Sequence, residues 1–479
     1  MAINLPQIIQ GGMGFGISDW RLAKTVSRLG HLGVVSGTAL DVVVARKLQN
    51  GDPGGHIRHA LEYFPFPQMA RRIVDKFFVP GGISEETPYR QFAMHDLEGR
   101  REPQELCIVG NFVEVFLARQ GHANPVGINY LEKIQIPHLP SIYGALLAGV
   151  STVIMGAGIP LTVPGILDAL ALHQPVEYPV NVIAQDGKSE TVKVPFDPAL
   201  FFEGGSAPDT LTRPDFLPVV SSDSLASILL RKANGSIEGF IVEGNLAGGH
   251  NASPRGVLNL SAEDEPVYGP RDVADLSTFR DISLPFWTAG AYGSPEGLQR
   301  ALAEGATGVQ IGTAFALCRE SGLLPELRRT LIRQALAGTA RVFTDRLASP
   351  TVFPFKVAQL AGSLSDKAVY GQRRRNCDIG FLRQPYRRPD GEIGYRCPAE
   401  PVAAYVAKGG RKEDAAGRKC LCNALAANIG MPQRLPDGSH EKCLVTMGND
   451  LVDIGRFCSA ANPEYAAADV IRVMLAKDG

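Results

Sequence analysis

The chain has 479 residues, of which 45% are hydrophobic and 20% charged, and its formal net charge is −1. This composition is typical of a folded globular protein, and the length suits one large catalytic domain with additions or two to three ordinary domains. A net charge so close to zero excludes a general attraction to nucleic acid or to an anionic membrane surface. The 52 glycines are about 11% of the residues against the usual ~7%, which favours many loops close to a ligand.

Two segments of the sequence indicate where in the cell the protein is located. The N-terminal residues contain no basic segment followed by a hydrophobic core, so we expect no signal peptide. Residues 141–167 carry no charge, but glycines and prolines interrupt them. They are therefore better explained as a buried helix, a buried strand and a loop than as a membrane span. We predict a cytoplasmic protein without a membrane span and without a nucleic-acid partner.

Short apolar runs alternate with helical patterns along the first 345 residues. After the first run, a helix is predicted with Ser18 as its N-cap and Gly30 as its stop. Ser222 is the predicted N-cap of a later helix, and Ser294 followed by Pro295 marks the start of another. The eight apolar runs lie at 7–12, 32–37, 124–130, 151–158, 216–222, 239–244, 284–290 and 307–313.

Runs rich in Val, Ile and Phe are typical of strands that are buried on both faces of a parallel sheet. Eight such strands with intervening helices favour an α/β fold, the (β/α)8 TIM barrel. A doubly wound sheet is the alternative fold. Its usual early glycine fingerprint has a different spacing from GGMGFG at residues 11–16.

The predicted barrel domain covers residues 1–345. Two insertions interrupt it, at about 50–105 with helical, proline-broken sequence, and at about 176–215 with a β-hairpin that turns at Asp186-Gly187. Residues 346–479 form a separate C-terminal extension with several cysteines and arginines.

Glycines stand at the carboxyl ends of several predicted strands, which is the active face of a TIM barrel. The last two strands continue into TAGAYGSPEG and QIGTAF. Backbone N–H groups in such loops, next to a helix N-terminus, form phosphate sites. Thr313 and Ser294 would add hydroxyl groups. The alternative is that these glycines only make tight turns.

The segment VEGNLAGGHNASPRG ends an apolar run with one histidine, His250, directly after Gly248 and Gly249. The small residues would let a flat group approach the backbone. A histidine at the rim of that space could transfer protons near pH 7. The alternative is a hydrogen-bonded rim histidine without a chemical role.

Three segments resemble the nitronate monooxygenase (2-nitropropane dioxygenase) family, whose superfamily includes the flavin-type enoyl-ACP reductases. They are QIIQGGMGFGIS, EGNLAGGHNASPRG and PFWTAGAYGSPEGLQRALAEGATGVQIGTAF, and the resemblance covers about residues 5–345 without the insertions. It implies an FMN-binding TIM barrel in which His250 is the catalytic residue. The implied cofactor-binding residues are Gly12, Met13, Gly14, Asn129, Glu243, Gly248, Gly249, Gly290, Gln310, Gly312 and Thr313.

The chain departs from the family pattern at two positions. Glu243 stands where nitronate monooxygenases usually have glutamine, and Ala291 stands where a second glycine is common. The second departure bears on one backbone contact to the phosphate.

The resemblance implies an FMN-dependent oxidoreductase that oxidises alkyl nitronates with O2. One alternative is an NAD(P)H-dependent enoyl-thioester (enoyl-ACP) reductase that acts with a fatty acid or polyketide synthase and its acyl carrier protein. Another is a flavin-binding partner subunit without independent turnover. The substrate would be a small molecule or a thioester, and a homodimer is compatible with each alternative.

Six of the eight cysteines follow residue 376. A cytoplasmic location argues against disulfides. Cys420 and Cys422 form a Cys-x-Cys pair, and Cys377 and Cys397 would complete a four-thiolate site for zinc or an iron–sulfur cluster. Scattered buried thiols are the alternative. The arginines nearby indicate either a solvated face or a docking site for a phosphorylated carrier. They are Arg373, Arg374, Arg375, Arg383, Arg387 and Arg388.

Overall fold

The computed structural model describes residues 5–204 and 207–476. The outermost residues of the two predicted domains, 1–4 and 477–479, and residues 205–206 of the second insertion lie outside the described residues. The strands are β1 Ile8–Gln10, β2 Gly33–Ser36, β3 Val126–Leu131, β4 Thr152–Gly156, β5 Val176–Ile183, β6 Ser189–Phe196, β7 Asp215–Val220, β8 Phe240–Glu243, β9 Phe286–Ala289, β10 Gly308–Ile311, β11 Val342–Asp345, β12 Phe355–Ala358, β13 Gln384–Arg387 and β14 Ile393–Arg396.

The helices lie between these strands along the chain. They are α1 Trp20–Arg28, α2 Leu40–Gln49, α3 His56–Leu61, α4 Pro67–Phe77, α5 Arg101–Arg119, α6 His138–Leu147, α7 Val163–Ala171, α8 Asp223–Lys232, α9 Leu276–Asp281, α10 Pro295–Ala303, α11 Thr313–Ala316, α12 Pro325–Leu336, α13 Lys367–Gln372, α14 Val402–Ala407, α15 Leu421–Ala427 and α16 Ala467–Met474. Among the described residues, no helix is long and apolar enough to cross a membrane.

Eight parallel strands close into a barrel. Their order is β1-β10-β9-β8-β7-β4-β3-β2, and a parallel bridge between Ile9 and Leu32 joins the two ends of this sheet. The N–H of Gln10 donates to the Leu32 carbonyl over 2.9 Å at the same seam. The predicted (β/α)8 TIM barrel is confirmed. The doubly wound alternative is wrong, because an open sheet would leave two unpaired edges.

Bulky and branched side chains fill the barrel interior, as the apolar runs require. They form one buried cluster, which consists of Ile9, Leu32, Val34, Ile154, Leu217, Ile241, Trp287 and Ala289. The indole N–H of Trp287 donates to the Pro6 carbonyl over 2.7 Å, so its polar atom is satisfied at one end of the barrel.

The predicted start of α1 was wrong by one residue. Asp19 is the N-cap, because its carboxylate accepts hydrogen bonds from the N–H groups of Arg21 and Leu22. Ser18 is buried instead, and its hydroxyl accepts from the Met13 N–H and donates to the Gly11 carbonyl. Ser18 therefore holds the glycine-rich loop that follows β1.

The other two predicted caps are confirmed. The Ser222 hydroxyl accepts from the Leu225 N–H over 3.2 Å, and the Ser294 hydroxyl accepts from the Gly297 N–H over 3.0 Å. Both caps satisfy a backbone donor that the first turn of a helix leaves free.

The predicted hairpin is also present. β5 and β6 pair antiparallel, and Gly187 turns the chain with a φ of 81°. β13 and β14 from the C-terminal region extend this hairpin into a four-stranded sheet. β11 and β12 pair across the predicted boundary between residues 345 and 346. The exact domain limits stay a prediction.

The packing of α1 on β2 requires a glycine at position 33. A β-carbon at Gly33 would overlap the Ala23 carbonyl, and both groups belong to rigid elements. We therefore expect Gly33→Ala to lower the free energy of unfolding by about 3 kcal/mol, the upper part of the usual cost of overpacking. Urea titration measures the change.

Gly371 in α13 is the matched control, because nothing lies within 4 Å of a β-carbon built there. Gly371→Ala should raise the free energy of unfolding by up to about 1 kcal/mol through helix propensity. Equal effects of the two substitutions would contradict the packing argument.

Candidate active site

One cavity at the carboxyl ends of the barrel strands contains every predicted site residue of the resemblance. Its volume is about 200 Å³. The barrel brings these residues together because all parallel strands end on the same face. Their contacts with FMN stay a prediction. They are Gly12, Met13, Gly14, Asn129, Glu243, Gly248, Gly249, His250, Gly290, Gln310, Gly312 and Thr313.

Position 12 requires a glycine because neighbouring strands approach it closely. A β-carbon there would lie 2.5 Å from the Asn129 β-carbon and 3.1 Å from the Val35 carbonyl oxygen. The Asn129 amide donates to the Gly12 carbonyl over 3.3 Å. The loop after β1 is thus held against β3, with backbone facing the cavity.

The loops after β9 and β10 expose backbone donors. Within the described ranges, the N–H groups of Gly290 and Ala291 donate to no acceptor, and the first turn of α11 leaves the Thr313 N–H free. Gly290 has a φ of 99° and Ala291 a φ of 60°. Such free donors at a helix start suit an anion.

Four residues of the C-terminal region that no sequence pattern predicted line the same cavity, namely Thr446, Met447, Gly448 and Asp450. The Gly249 N–H donates to the Thr446 hydroxyl over 2.8 Å, and the Gly448 N–H donates to the Thr313 hydroxyl over 3.0 Å. No spacing in this segment indicated a site. Only the fold brings it to the barrel, across more than a hundred residues.

This contact changes the explanation of the double glycine before His250. A β-carbon at Gly248 would lie 2.9 Å from the Gly448 nitrogen, so Gly248 is small because another backbone packs on it. Gly249 has a φ of 84°, and a β-carbon there would meet open space. Of the two glycines, only Gly249 leaves room for a flat ligand.

Asp450 lies beside the predicted phosphate-binding residues. Burial raises the pKa of its carboxyl, although a hydrogen bond with Thr313 acts in the opposite direction. A higher pKa makes the neutral acid easier to form. The carboxyl can therefore lie near an anion with less repulsion than an ordinary aspartate would cause.

His250 is fixed by the C-terminal region on two sides. Its Nε2 lies 2.7 Å from the Ser349 hydroxyl, which is itself 2.8 Å from the Thr351 hydroxyl. The ring meets Phe355 edge-on with centroids 4.8 Å apart. Burial lowers the pKa of His250 to about 4. The ring is therefore neutral at pH 7, and it is a weaker base than the sequence analysis expected.

Glu243 shows the opposite shift from the same cause. Burial raises the pKa of its carboxyl to about 8. At neutral pH the group is a protonated acid with one O–H donor and one carbonyl acceptor. In hydrogen bonding it then resembles the glutamine that the family usually carries at this position.

A second cavity of about 340 Å³ lies beside the first. Glu243 and His250 line both cavities, so these two side chains stand at the boundary. Lys133 and Arg255 line the second cavity, and Tyr268 lies near them. The second cavity therefore offers space for a substrate and positive charge for an anionic group.

The four predicted metal-binding cysteines are brought together around a separate cavity. Cys377, Cys397, Cys420 and Cys422 line one small cavity of their own. A hydrogen bond from Cys422 and the charge of Arg373 lower the pKa of the Cys420 thiol. Whether they bind a metal stays a prediction of the sequence analysis.

The arginines of the basic stretch contact the protein itself. Arg373 forms an ion pair with Glu441, and Arg387 forms one with Glu190. Arg375 donates to the carbonyls of Pro398 and Ala415, and the remaining three have similar partners within the chain. These contacts leave less of the stretch for a phosphorylated carrier.

Comparison with known proteins supports the resemblance. Residues 204–346 match the family model described as nitronate monooxygenase. A nitronate monooxygenase of Paraburkholderia phytofirmans is 28% identical over 174 residues, which are 36% of this chain and 45% of that protein. One of Pseudomonas aeruginosa is 35% identical over 111 residues, which are 22% of this chain and 29% of that protein. The chain thus matches less than half the length of these relatives.

Two solved structures also align with the chain. FabK from Thermotoga maritima has a TM-score of 0.48 at 16% identity, with 98% of this chain and 91% of that chain covered. Nitroalkane oxidase from Streptomyces ansochromogenes has a TM-score of 0.47 at 16% identity, with coverage of 98% and 94%. The predicted resemblance to the nitronate monooxygenase family is confirmed by the family model and the curated relatives.

Ala291 allows a test of the loop after β9. A non-glycine residue in the left-handed region carries about 1–2 kcal/mol of strain, which substitution to glycine relieves. Glycine also increases the conformational entropy of the unfolded chain, and this costs about 0.4–1 kcal/mol of stability. We expect Ala291→Gly to raise the free energy of unfolding by about 0.5–1 kcal/mol in denaturant titrations.

Ala303, exposed at the end of α10, is the matched control. Ala303→Gly should lower the free energy of unfolding by about 0.5–1 kcal/mol, since glycine weakens a helix. If both substitutions destabilise the protein equally, Ala291 is not strained.

Proposed function

We propose that the chain is an FMN-dependent oxidoreductase that oxidises alkyl nitronates with O2. The family match over residues 204–346 supports a flavin oxidoreductase of this superfamily. The observation that carries the substrate class is the neutral pair, Glu243 and His250, at the boundary of the two cavities.

The main cavity suits a flavin with one phosphate. Open space above Gly249 and backbone at Gly12 would receive the flat ring system. The free N–H groups of Gly290 and Ala291 and the start of α11 would hold the phosphate beside Asp450, whose pKa is raised by burial. When bound, FMN supplies the electron acceptor for substrate oxidation.

The low pKa of His250 favours a nitronate over a neutral nitroalkane as the substrate. A base with a pKa of about 4 removes a proton from carbon inefficiently at pH 7. A nitronate has already lost that proton and needs only to be held. The neutral ring of His250 and the O–H of Glu243 offer hydrogen bonds to it, and neither repels its charge.

Nitronate turnover tests the role of His250. His250→Ala removes a hydrogen bond to a charged substrate, worth about 1.5–3 kcal/mol, so kcat/KM should fall about 10- to 100-fold. The measurement is oxidation of a preformed alkyl nitronate in air, expressed per bound FMN.

Flavin released on denaturation should be FMN and not FAD, because the cavity offers one phosphate site.

The exposed His440 is the control, and His440→Ala should keep the wild-type rate. An unchanged rate per bound FMN in His250→Ala would remove this residue from substrate binding. A protein that takes up FAD, or that takes up no flavin, would overturn the proposed cofactor.

The pKa of Glu243 predicts a pH profile. Below about pH 8 the carboxyl is protonated and donates to the nitronate, and above it the carboxylate repels the nitronate. kcat/KM for a preformed nitronate should therefore fall as pH rises through about 8, by up to about tenfold per pH unit. Glu243→Gln keeps a donor at every pH, so its profile should stay flat over this range.

Glu263 is exposed and serves as the control substitution. Glu263→Gln should retain the wild-type profile. If Glu243→Gln shows the same fall as wild type, another group controls the pH dependence.

The enoyl-thioester reductase is the second candidate function, because two observations favour it. The second cavity has room for an acyl chain, with Lys133 and Arg255 available for a phosphorylated carrier. Protonated Glu243 could also supply the proton that reduction of an enoyl thioester consumes.

Anaerobic mixing with NADH or NADPH separates the two functions. Rapid loss of flavin absorbance, followed by turnover of an enoyl thioester, would favour the reductase. Slow loss of absorbance together with nitronate oxidation in air would favour the monooxygenase. A protein that holds FMN and turns over neither substrate would be the partner subunit.

A further inference from the structure

Four cysteines from separate segments line one enclosed space next to α15. Cys377 follows α13, Cys397 follows β14, and Cys420 and Cys422 lie at the start of α15. Cys397 and Cys420 are each 6% exposed. All four are free thiols. Cys377 and Cys422 are partly buried, and all four thiols face the same cavity although they come from three separate segments.

The spacing of the sulfur atoms does not suit a single zinc ion. Zinc–sulfur bonds of about 2.3 Å put four sulfurs of a tetrahedral site roughly 3.8 Å apart, which leaves no space between them. Among the described residues, the one set of three ligand atoms within 4.8 Å of one another is Asp41, His95 and Cys107. No three of the four sulfurs therefore approach one another that closely.

A void of about 10 Å³ separates the four cysteines, and its other lining residues are apolar or glycine except for Arg383 and Glu400. This volume is close to the minimum for one water, but a buried water needs two to four polar partners. The space thus offers few partners to solvent, and the separation of the sulfur atoms, not this volume, favours a cluster over a single ion.

Buried arginines surround the same space. Arg383 lines it, and Arg46 and Arg373 lie close enough to Cys420 to interact with its charge. The side chain of Arg373 is 3% exposed, and its Nη1 has no hydrogen-bond partner in the part of the chain that the structure describes. Arg373 is paired with Glu441 and Arg46 with Asp378, so Arg383 is the cation on the cavity wall that would offset part of the negative charge of four thiolates, and Glu400 lies on the same wall.

We propose that Cys377, Cys397, Cys420 and Cys422 bind a [4Fe–4S] cluster. Such clusters are held by four cysteine thiolates, and their cubane core keeps the four sulfurs further apart than one ion does. The proposal does not depend on the proposed function of the barrel.

The cluster would lie close to the main cavity. α15 carries Cys422 in its first turn and Leu425 three residues later, and Leu425 lines the main cavity. Three residues of helix advance by about 4.5 Å. One helical turn therefore separates the thiol site from the wall of the barrel site.

The test is metal and sulfide analysis of the full chain, produced and purified without oxygen and supplied with iron and cysteine during growth. We expect about four irons and four acid-labile sulfides per chain. Reduction with dithionite should produce a low-temperature electron paramagnetic resonance signal that free flavin lacks.

Cys420→Ser and Cys377→Ser should lose most of this iron and sulfide. Cys458→Ser is the matched control, because Cys458 lies outside the thiol cavity, and it should keep both. If the serine variants do not fold, the sulfide content of the wild-type protein still distinguishes an iron–sulfur cluster from zinc.

Three results would overturn the proposal. One is stoichiometric zinc without sulfide, and another is anaerobically prepared protein that holds no metal. The third is a content of two irons and two sulfides, which would contradict the four-iron core. Flavin content is measured on the same samples, so that failure of the barrel function is seen separately.

Discussion

The close approach of two backbones, at Gly248 and Gly448, organises the active site. The Gly448 N–H reaches the Thr313 hydroxyl, while Thr446 accepts from the Gly249 N–H. The loop after β8 is thereby clamped between the barrel and the C-terminal region. Any side chain at Gly248 would press on this contact. The C-terminal region is thus part of the cavity wall and completes the barrel face.

The same clamp determines how His250 is held. The Lys356 N–H donates to the Gly249 carbonyl over 2.9 Å, and the Asn251 N–H donates to the Pro354 carbonyl over 2.9 Å. Phe355 stands between these two bonds, against the imidazole. His250 has little freedom to turn, because backbone hydrogen bonds hold the residue on each side of it and its Nε2 contacts the Ser349 hydroxyl. It is suited to orient a ligand.

Exclusion of solvent then determines the chemistry of the cavity. The charged form of each ionisable group is disfavoured there, so the pKa values of Glu243 and Asp450 rise while that of His250 falls. The three groups move toward their neutral forms together. A cavity that contains protonated Glu243, neutral His250 and free backbone N–H groups can accept an anion, and the raised pKa of Asp450 lessens the repulsion from its carboxyl.

Much of the fold and the site followed from local patterns in the sequence. Apolar runs at 7–12, 239–244 and 307–313 indicated buried strands, and parallel strands around a barrel must end on one face. For that reason the glycines and His250 could be placed together in advance. Ser18 shows the limit of such patterns, because two neighbouring cap residues compete and only the packing of α1 decides between them.

The sequence by itself determined the barrel, the turn of the hairpin at Gly187, and the set of residues at the strand ends, since each depends on periodicity or backbone preference over a few positions. Tertiary structure alone decided the roles of Gly248 and of residues 446–450, the gathering of the four cysteines, and the ionisation of Glu243 and His250. Those depend on contacts between distant segments and on how completely they exclude water, and no local pattern encodes either.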